Sequence, residues 1–391
     1  MSAGGGPSAD VVVIGAGIVG AACARELAVR GVRVVLLDRG EIAGGTTGLG
    51  EGNVLASDKE RGPELDLTRA GLGVYDEIEE RLGGEARIRR KGALIVHPNA
   101  ETWEREPARV ERLLAEGLRC RLVDSGDVGE LEPELTGHLE GAAYFPDDIQ
   151  CAPRPITRAL AREAAAAGAE VRTHCEVEAI AADDGRVEGV RLADDTLVEA
   201  GAVVLAAGPW SRRLAESAGL DLPLEPRWGQ LVRLRAPRDR PPLLRRKVVD
   251  GSYLASVVST EPGLEITTVL ETTWEGDVLV GSSRARRGFD TAVEDDVTEA
   301  MIARAARLVP AVRDLPVAGA WSGLRPWLPD HLPAIGPSVQ VPGLWVATGH
   351  EGAGIALGPV TGRVLAQAFC QEKPEVDLEP FLPDRFALAR Q

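Results

Sequence analysis

Gly15, Gly17 and Gly20 stand at the spacing of a dinucleotide-binding turn, and Asp38 follows roughly 20 residues later. The first glycine permits a tight turn, the second lets backbone approach a pyrophosphate, and the third lets a helix pack closely on a strand. Phosphates would then lie at the positive end of that helix. Asp38 would accept a hydrogen bond from a ribose hydroxyl, and an acid here favours FAD or NAD over a 2′-phosphorylated nucleotide. Ile18 and Arg39 flank these groups and are expected to join them in holding the cofactor. A second candidate for chemistry lies far along the chain, in Trp321-Ser-Gly-Leu-Arg-Pro-Trp-Leu-Pro-Asp330, read as a loop whose prolines fix the backbone around Arg325. A guanidinium fork can hold a substrate carboxylate through paired charge-assisted hydrogen bonds. It can equally pair with an internal acid such as Asp330, and the residues alone leave both readings open.

These groups need elements to hold them. Val11 to Ile14 is a β-branched run suited to a strand buried on both faces of a parallel sheet. A helix from Ile18 to Arg30, capped by Gly31, and a second buried strand from Val32 to Leu37 complete the unit. Glu41 to Asp58 is dense in glycine and contains Thr46, Thr47, Gly52 and Asn53, which reads as backbone passing close to a ligand. Asp66 to Leu82 has the stripe of an amphipathic helix, and Arg87 to His97 reads as a strand. Val177 to Ile180, Arg186 to Leu192 and Thr196 to Ala200 read as a small antiparallel meander. The run from Ala202 to Ser211 is a buried strand ending in Ala207, Gly208 and Trp210, a second place where backbone can approach the nucleotide.

From Arg227 to Arg287 the pattern turns to strands, at Gln230 to Arg235, Tyr253 to Val258, Glu265 to Leu270 and Asp277 to Ser282. The basic, proline-rich stretch from Arg235 to Lys247 reads as a solvated loop. Leu344 to Thr348 is a last buried strand, followed by Gly349-His-Glu-Gly-Ala-Gly-Ile355 and a helix to about Gln371. Free amides at that helix's start suit the partial negative charge of a reduced flavin ring. Pro359 is placed in the early turns, where its missing amide would be nearly unpaired. His350 has two readings, a contact to flavin or substrate and a packed, satisfied histidine.

At 391 residues the chain is long enough for two domains, and βα units flanking a strand-rich segment imply a discontinuous α/β nucleotide domain with an antiparallel insert. A net charge of -16 argues against nucleic-acid or anionic-membrane partners. The five cysteines are odd in number and form no Cys-x-x-Cys pair, so reduced structural thiols and no metal site are expected. No secretory or membrane-spanning run is evident, and a soluble cytoplasmic protein is expected. Met1 to Ala9 reads as a disordered leader.

Taken in order, the glycine fingerprint with Asp38, Thr46-Thr47, Leu-Ala-Ala-Gly-Pro-Trp-Ser211, Gly-Leu-Arg-Pro326, Pro-Ala-Ile-Gly336, Gly349-His350 and Pro-Val-Thr-Gly362 form a set. With that set the chain resembles the FAD-dependent D-amino-acid oxidase superfamily, in its glycine oxidase and proline or D-hydroxyproline dehydrogenase branch. The resemblance implies a Rossmann-like FAD domain over residues 1–85, 146–225 and 320–391, and a substrate domain over 86–145 and 226–319 whose antiparallel sheet covers the flavin. It implies that Arg325 holds the substrate carboxylate, with Tyr253 as helper. Val177 would meet the adenine, Thr46 and Thr47 the pyrophosphate and ribityl chain, and Gly352, Gly354 and Ile355 the flavin ring. Glu51, in Gly-Glu-Gly-Asn53, resembles the dehydrogenase branch more than the oxidases.

Two departures shape the expectation. Where glycine oxidases carry a further arginine, this chain has Glu351-Gly352-Ala353, which argues against glycine itself as substrate. The histidine and cysteine that bind flavin covalently in some relatives are absent, so FAD is expected to be noncovalent. The implied reaction is hydride transfer to flavin from the α-carbon of a small amino or imino acid. The competing readings are a flavoprotein subunit of a hetero-oligomer and an amine oxidase without carboxylate recognition. Homo- or hetero-oligomerisation is left open.

Overall fold

A computed structural model describes residues 9–388. The expected leader lies outside the described residues except for Ala9, which opens the first strand rather than closing a disordered tail. That strand, Ala9–Ile14, pairs in parallel with Val34–Leu37 on one side and Leu197–Leu205 on the other. Glu170–Arg172 and Leu344–Thr348 extend the parallel sheet outward. Val11, Val12 and Val13 are all fully buried, because helices cover one face and a second apolar layer covers the other. Ile18–Ala28 packs on Pro153–Ala166 and Gly354–Phe369, and Pro63–Leu82 lies outside the last of these.

The residues read as the meander's third strand and as the buried strand after it are one element, Leu197–Leu205. Its first half pairs antiparallel with Arg186–Leu192 and its second half parallel with Ala9–Ile14. Only Gly201 lies between the halves, and nothing there forces a turn. Pro359 falls inside Gly354–Phe369, beyond its first turn. The carbonyl its absent amide leaves unbonded, that of Ile355, accepts instead from the buried Tyr75 hydroxyl at 2.6 Å.

The second sheet has eight strands, in the order Val317–Trp327, Glu225–Leu234, Val278–Arg284, Glu265–Thr272, Lys247–Asp250, Ala93–His97, Gly141–Phe145, Arg121–Asp124. It is antiparallel except where Lys247–Asp250 runs parallel to Ala93–His97. Helix Asp295–Leu308 seals one face with Val297, Met301 and Ala305, and the other face looks toward the nucleotide sheet's glycine turns. Asn53–Val54, Ile149–Cys151 and Ile88–Arg89 form a small third sheet.

Three sequence readings are corrected here. The stretch around Arg325 is the edge strand Val317–Trp327, not a loop; Pro326 is tolerated because an edge strand needs amides on one side only. The expected domain boundary at 320 therefore falls inside a strand of the second sheet. Tyr253 lies on a short helix, Ser252–Val257, not a strand; the Asp250 carboxylate accepts from the Ser252 amide at 2.8 Å and starts the turn. Lys247 is not in a solvated loop but in a strand, 2% exposed.

Candidate active site

A cleft of about 1280 Å³ separates the glycine turns from the open face of the second sheet. It exceeds the roughly 300–1,000 Å³ of ordinary small-molecule pockets, as an extended dinucleotide with a substrate beyond it requires. Every residue assigned from sequence to the cofactor or the substrate lines this cleft except Gly20. Gly20 acts from behind: a methyl there would stand 1.8 Å from the Gly15 carbonyl oxygen, so only glycine lets the helix start lie against the strand end.

At one end the cleft is bounded by Gly15, Gly17, Ile18, Asp38, Arg39, Val177, Ala207, Gly208 and Trp210. The Asp38 carboxylate already accepts the Ala16 amide at 2.6 Å and the Gly40 amide at 2.8 Å, which fixes both turns around it. Arg39 stacks over the Trp210 ring at 4.0 Å. In the middle, the Thr47 hydroxyl accepts the Ile18 amide at 3.1 Å. Thr46 donates to the Leu324 carbonyl at 2.7 Å, which ties the threonine loop to the strand bearing Arg325.

The far end is built from charge. Arg325 lies flat across Gly229, where a methyl would meet its Nη1 at 2.0 Å, and donates to the Ser283 carbonyl at 3.0 Å. No carboxylate among the described residues pairs with it; Asp330, the internal acid considered from sequence, pairs with Arg385 at 2.7 Å. Burial, and then the charge of Arg284, pull Arg325 below the ordinary arginine range, though a guanidinium remains charged at neutral pH. Tyr253 faces the same space, its hydroxyl held above the usual phenol range by burial.

Glu51 accepts from Lys247 at 2.8 Å and from Asn53 at 2.7 Å, both through Oε2. Burial alone would raise its pKa; the Lys247 charge and these hydrogen bonds outweigh that and hold it ionised. Lys247 also donates to Asn53 at 2.5 Å, and Glu271 beyond it binds Lys91 at 3.0 Å. His350 is buried, its Nε2 2.9 Å from the Thr361 hydroxyl, and burial lowers its pKa to about 3. A neutral, hydrogen-bonded ring matches the packed reading of His350, set in the cleft wall. The turn after it is pinned by the Glu351 amide donating to the Pro326 carbonyl at 2.9 Å. The Glu351 carboxylate is held by Arg227 at 2.5 Å and His331 at 3.1 Å.

The FAD dependent oxidoreductase family matches residues 10–368. The chain belongs to this family. It is 30% identical to a glycine oxidase of Geobacillus kaustophilus over 384 residues, which are 95% of this chain and 96% of the relative. The crystal structure of glycine oxidase from that species superposes with a TM-score of 0.86, covering 96% and 98% of the two chains. A D-amino acid dehydrogenase of Paramagnetospirillum magneticum is 28% identical, covering 96% of this chain and 98% of its own. L-proline dehydrogenase from P. horikoshii shares the fold at a TM-score of 0.89 and 22% identity, covering 98% and 99% of the chains.

The cleft fits the family's cofactor on its own chemistry. Neither Gly17 nor Ala353, the residues that open the two helices facing it, brings a side-chain acceptor to the leading amides. Positive helix ends therefore meet the cleft where a pyrophosphate and a reduced flavin ring carry negative charge. Sequence reasoning missed Lys247, Arg284, Arg227 and Phe289, the last stacked on Trp210 at 6.0 Å. Only Lys247 carried a signal, a basic residue at the border of an apolar Val-Val pair, which marks a strand start rather than a loop. Among the described residues no group of acids, histidines and cysteines is placed to hold a metal, and no helix is long and apolar enough to cross a membrane.

Proposed function

We propose that this protein oxidises the carbon–nitrogen bond of a small amino or imino acid, with FAD held noncovalently along the cleft. The observation that carries the reading is Arg325: a guanidinium at the deep end of the cleft, tethered by carbonyls through one nitrogen and lacking any acid partner among the described residues. A substrate carboxylate is the group that such a fork takes. Tyr253 donates its hydroxyl to the same carboxylate. Glu51, fixed through Oε2, keeps Oε1 without a hydrogen-bond donor among the described residues and turns it toward the substrate amine. Asp38, Arg39, Val177, Gly15, Gly17, Ile18, Ala207, Gly208 and Trp210 hold the dinucleotide end. Thr46, Thr47, Gly52 and Asn53 line its middle, and Gly352, Gly354 and Ile355 the ring.

Bound FAD supplies the acceptor for the hydride that leaves the α-carbon. The protein's share is positioning: two anchors, on carboxylate and amine, fix which face of the α-carbon meets the cofactor. No strong general base is needed, and neutral His350 is not asked to be one. We place the substrate unit's last boundary at Trp327, so that Arg325 belongs to it while the chain that follows returns to the nucleotide sheet.

The test is a screen of D- and L-amino acids, proline analogues and N-methyl amines, with oxygen and with a dye as acceptor. Oxidation is expected for carboxylate-bearing substrates only, and Arg325→Ala is expected to raise KM by about 100-fold or more while FAD stays bound. Turnover of simple amines at equal rates would refute the role of Arg325. Peroxide from the isolated chain would mark an oxidase; dye reduction without peroxide would mark a dehydrogenase.

A further inference from the structure

Five lysine and arginine side chains are buried among the described residues: Lys59, Arg109, Arg227, Lys247 and Arg284. Four have a carboxylate partner, Lys59 with Glu64, Arg109 with Glu106, Arg227 with Glu351 and Lys247 with Glu51. Arg284 has none. It is 5% exposed, its Nη2 reaches only the Ser282 hydroxyl at 3.2 Å, and its Nη1 has no hydrogen-bond partner. Leaving a buried charge unpaired is costly, and this chain avoids that cost at its other buried cations.

Arg284 is also placed where a ligand could satisfy it. It ends the strand Val278–Arg284, with the Arg227 strand between it and the strand of Arg325. Ser282, whose hydroxyl its Nη2 reaches, lines the cleft, and Arg284 sits behind that lining. Its guanidinium lies over the Tyr253 ring at 5.0 Å, and Tyr253 lines the cleft beside Arg325. Stacking covers one face of the guanidinium but leaves its in-plane N–H groups unused. The site thus holds two guanidinia near one tyrosine, close enough for the charge of Arg284 to act on Arg325.

We propose that Arg284 is a second carboxylate site and that the substrate is a small amino or imino acid bearing two carboxylates, one held by Arg325 and the other by Arg284. The proposal rests on the reading of Arg325 given above and adds the substrate class to it. Arg284 is then a specificity-determining residue, acting through KM.

Two arms test it. In the FAD-loaded protein, perturbation of the flavin absorbance band is titrated with malonate and succinate against acetate and butyrate. The dicarboxylates are expected to bind at least about tenfold more tightly; Arg284→Met erases the difference and Arg284→Lys restores part of it. In turnover, aspartate is compared with alanine, each as both enantiomers, and N-carboxymethylglycine with N-methylglycine. At least one diacid is expected to have a kcat/KM about tenfold or more above its partner, with the ratio collapsing through KM in Arg284→Met. Equal binding of mono- and dicarboxylates, or a ratio unmoved by Arg284→Met, overturns the proposal. If that variant does not fold, the wild-type binding ratio decides alone. Failure of the underlying reading has a different signature, in which Arg325→Ala leaves the binding of both classes unchanged.

Discussion

The two ends of the cleft solve their problems with different materials. The nucleotide end is made largely of backbone: glycines that allow contact, a helix start whose opening Gly17 brings no side chain and whose Ile18 amide is met by Thr47, and Asp38, whose oxygens already hold the Ala16 and Gly40 amides. The substrate end is made of charge, Lys247 with Glu51, Arg227 with Glu351, and the guanidinia of Arg284 and Arg325, with no paired acid among the described residues. A backbone site is shaped by sterics and tolerates changes of charge. A charged site keeps its shape when one ion is removed but loses its balance, because the partner left behind stays buried. The two ends should therefore fail differently under mutation.

The largest effect is expected from Gly20→Val. Its side chain would enter the Gly15 carbonyl, so no soluble FAD-bearing protein should accumulate, judged by the flavin absorbance of the purified fraction. A yellow, folded variant would break the account of the backbone end. Next is Lys247→Met, which strands Glu51: stability should fall by about 3–5 kcal/mol in denaturant unfolding. The Glu51 carboxyl should then titrate higher, seen as a shift in the acid limb of the kcat/KM profile. An unchanged profile would detach Glu51 from the substrate end. Tyr75→Phe leaves the Ile355 carbonyl unbonded beside Pro359 and should cost about 1–3 kcal/mol with FAD affinity little changed.

The last effect concerns neither end and is read only as a slope with pH. Asp148 is buried beside the Ala56 amide, and burial raises its pKa to about 7. Its folded pKa lies above the unfolded one, so its contribution to stability is full below about pH 4 and is lost as pH rises through about 7. Asp148→Asn should flatten that decline between about pH 4 and 7 in thermal melts. A slope equal to wild type would contradict it.

The same contrast explains what could be read from the chain in advance. Gly15, Gly17, Gly20 and Asp38 are legible because their spacing along the chain is the spacing in the fold. The Thr46-Thr47 loop and the glycines around Gly352 share that property. The substrate end is assembled by register between strands distant in sequence: Lys247 meets Glu51, and Arg227 meets Glu351, only once the sheets form. Arg325 stood out by its setting between apolar residues, yet its prolines suggested a loop; they are tolerated because its strand is an edge. Tyr253 was read as part of a strand from its Val and Ala neighbours, and the Asp250 carboxylate turns that stretch into a helix. Arg284 carried no local signal, since its lack of a paired carboxylate among the described residues is a property of the surrounding space.

The central claim is that a bound flavin faces a small carboxylate held by Arg325. It is tested most directly by titrating the purified holoprotein with a carboxylate that cannot be oxidised while following the flavin absorbance. The account predicts a saturable shift in wild type, and in Arg325→Ala a full flavin band that no longer responds. A variant that responds with wild-type affinity, or a wild-type chain that takes up no FAD, would contradict it.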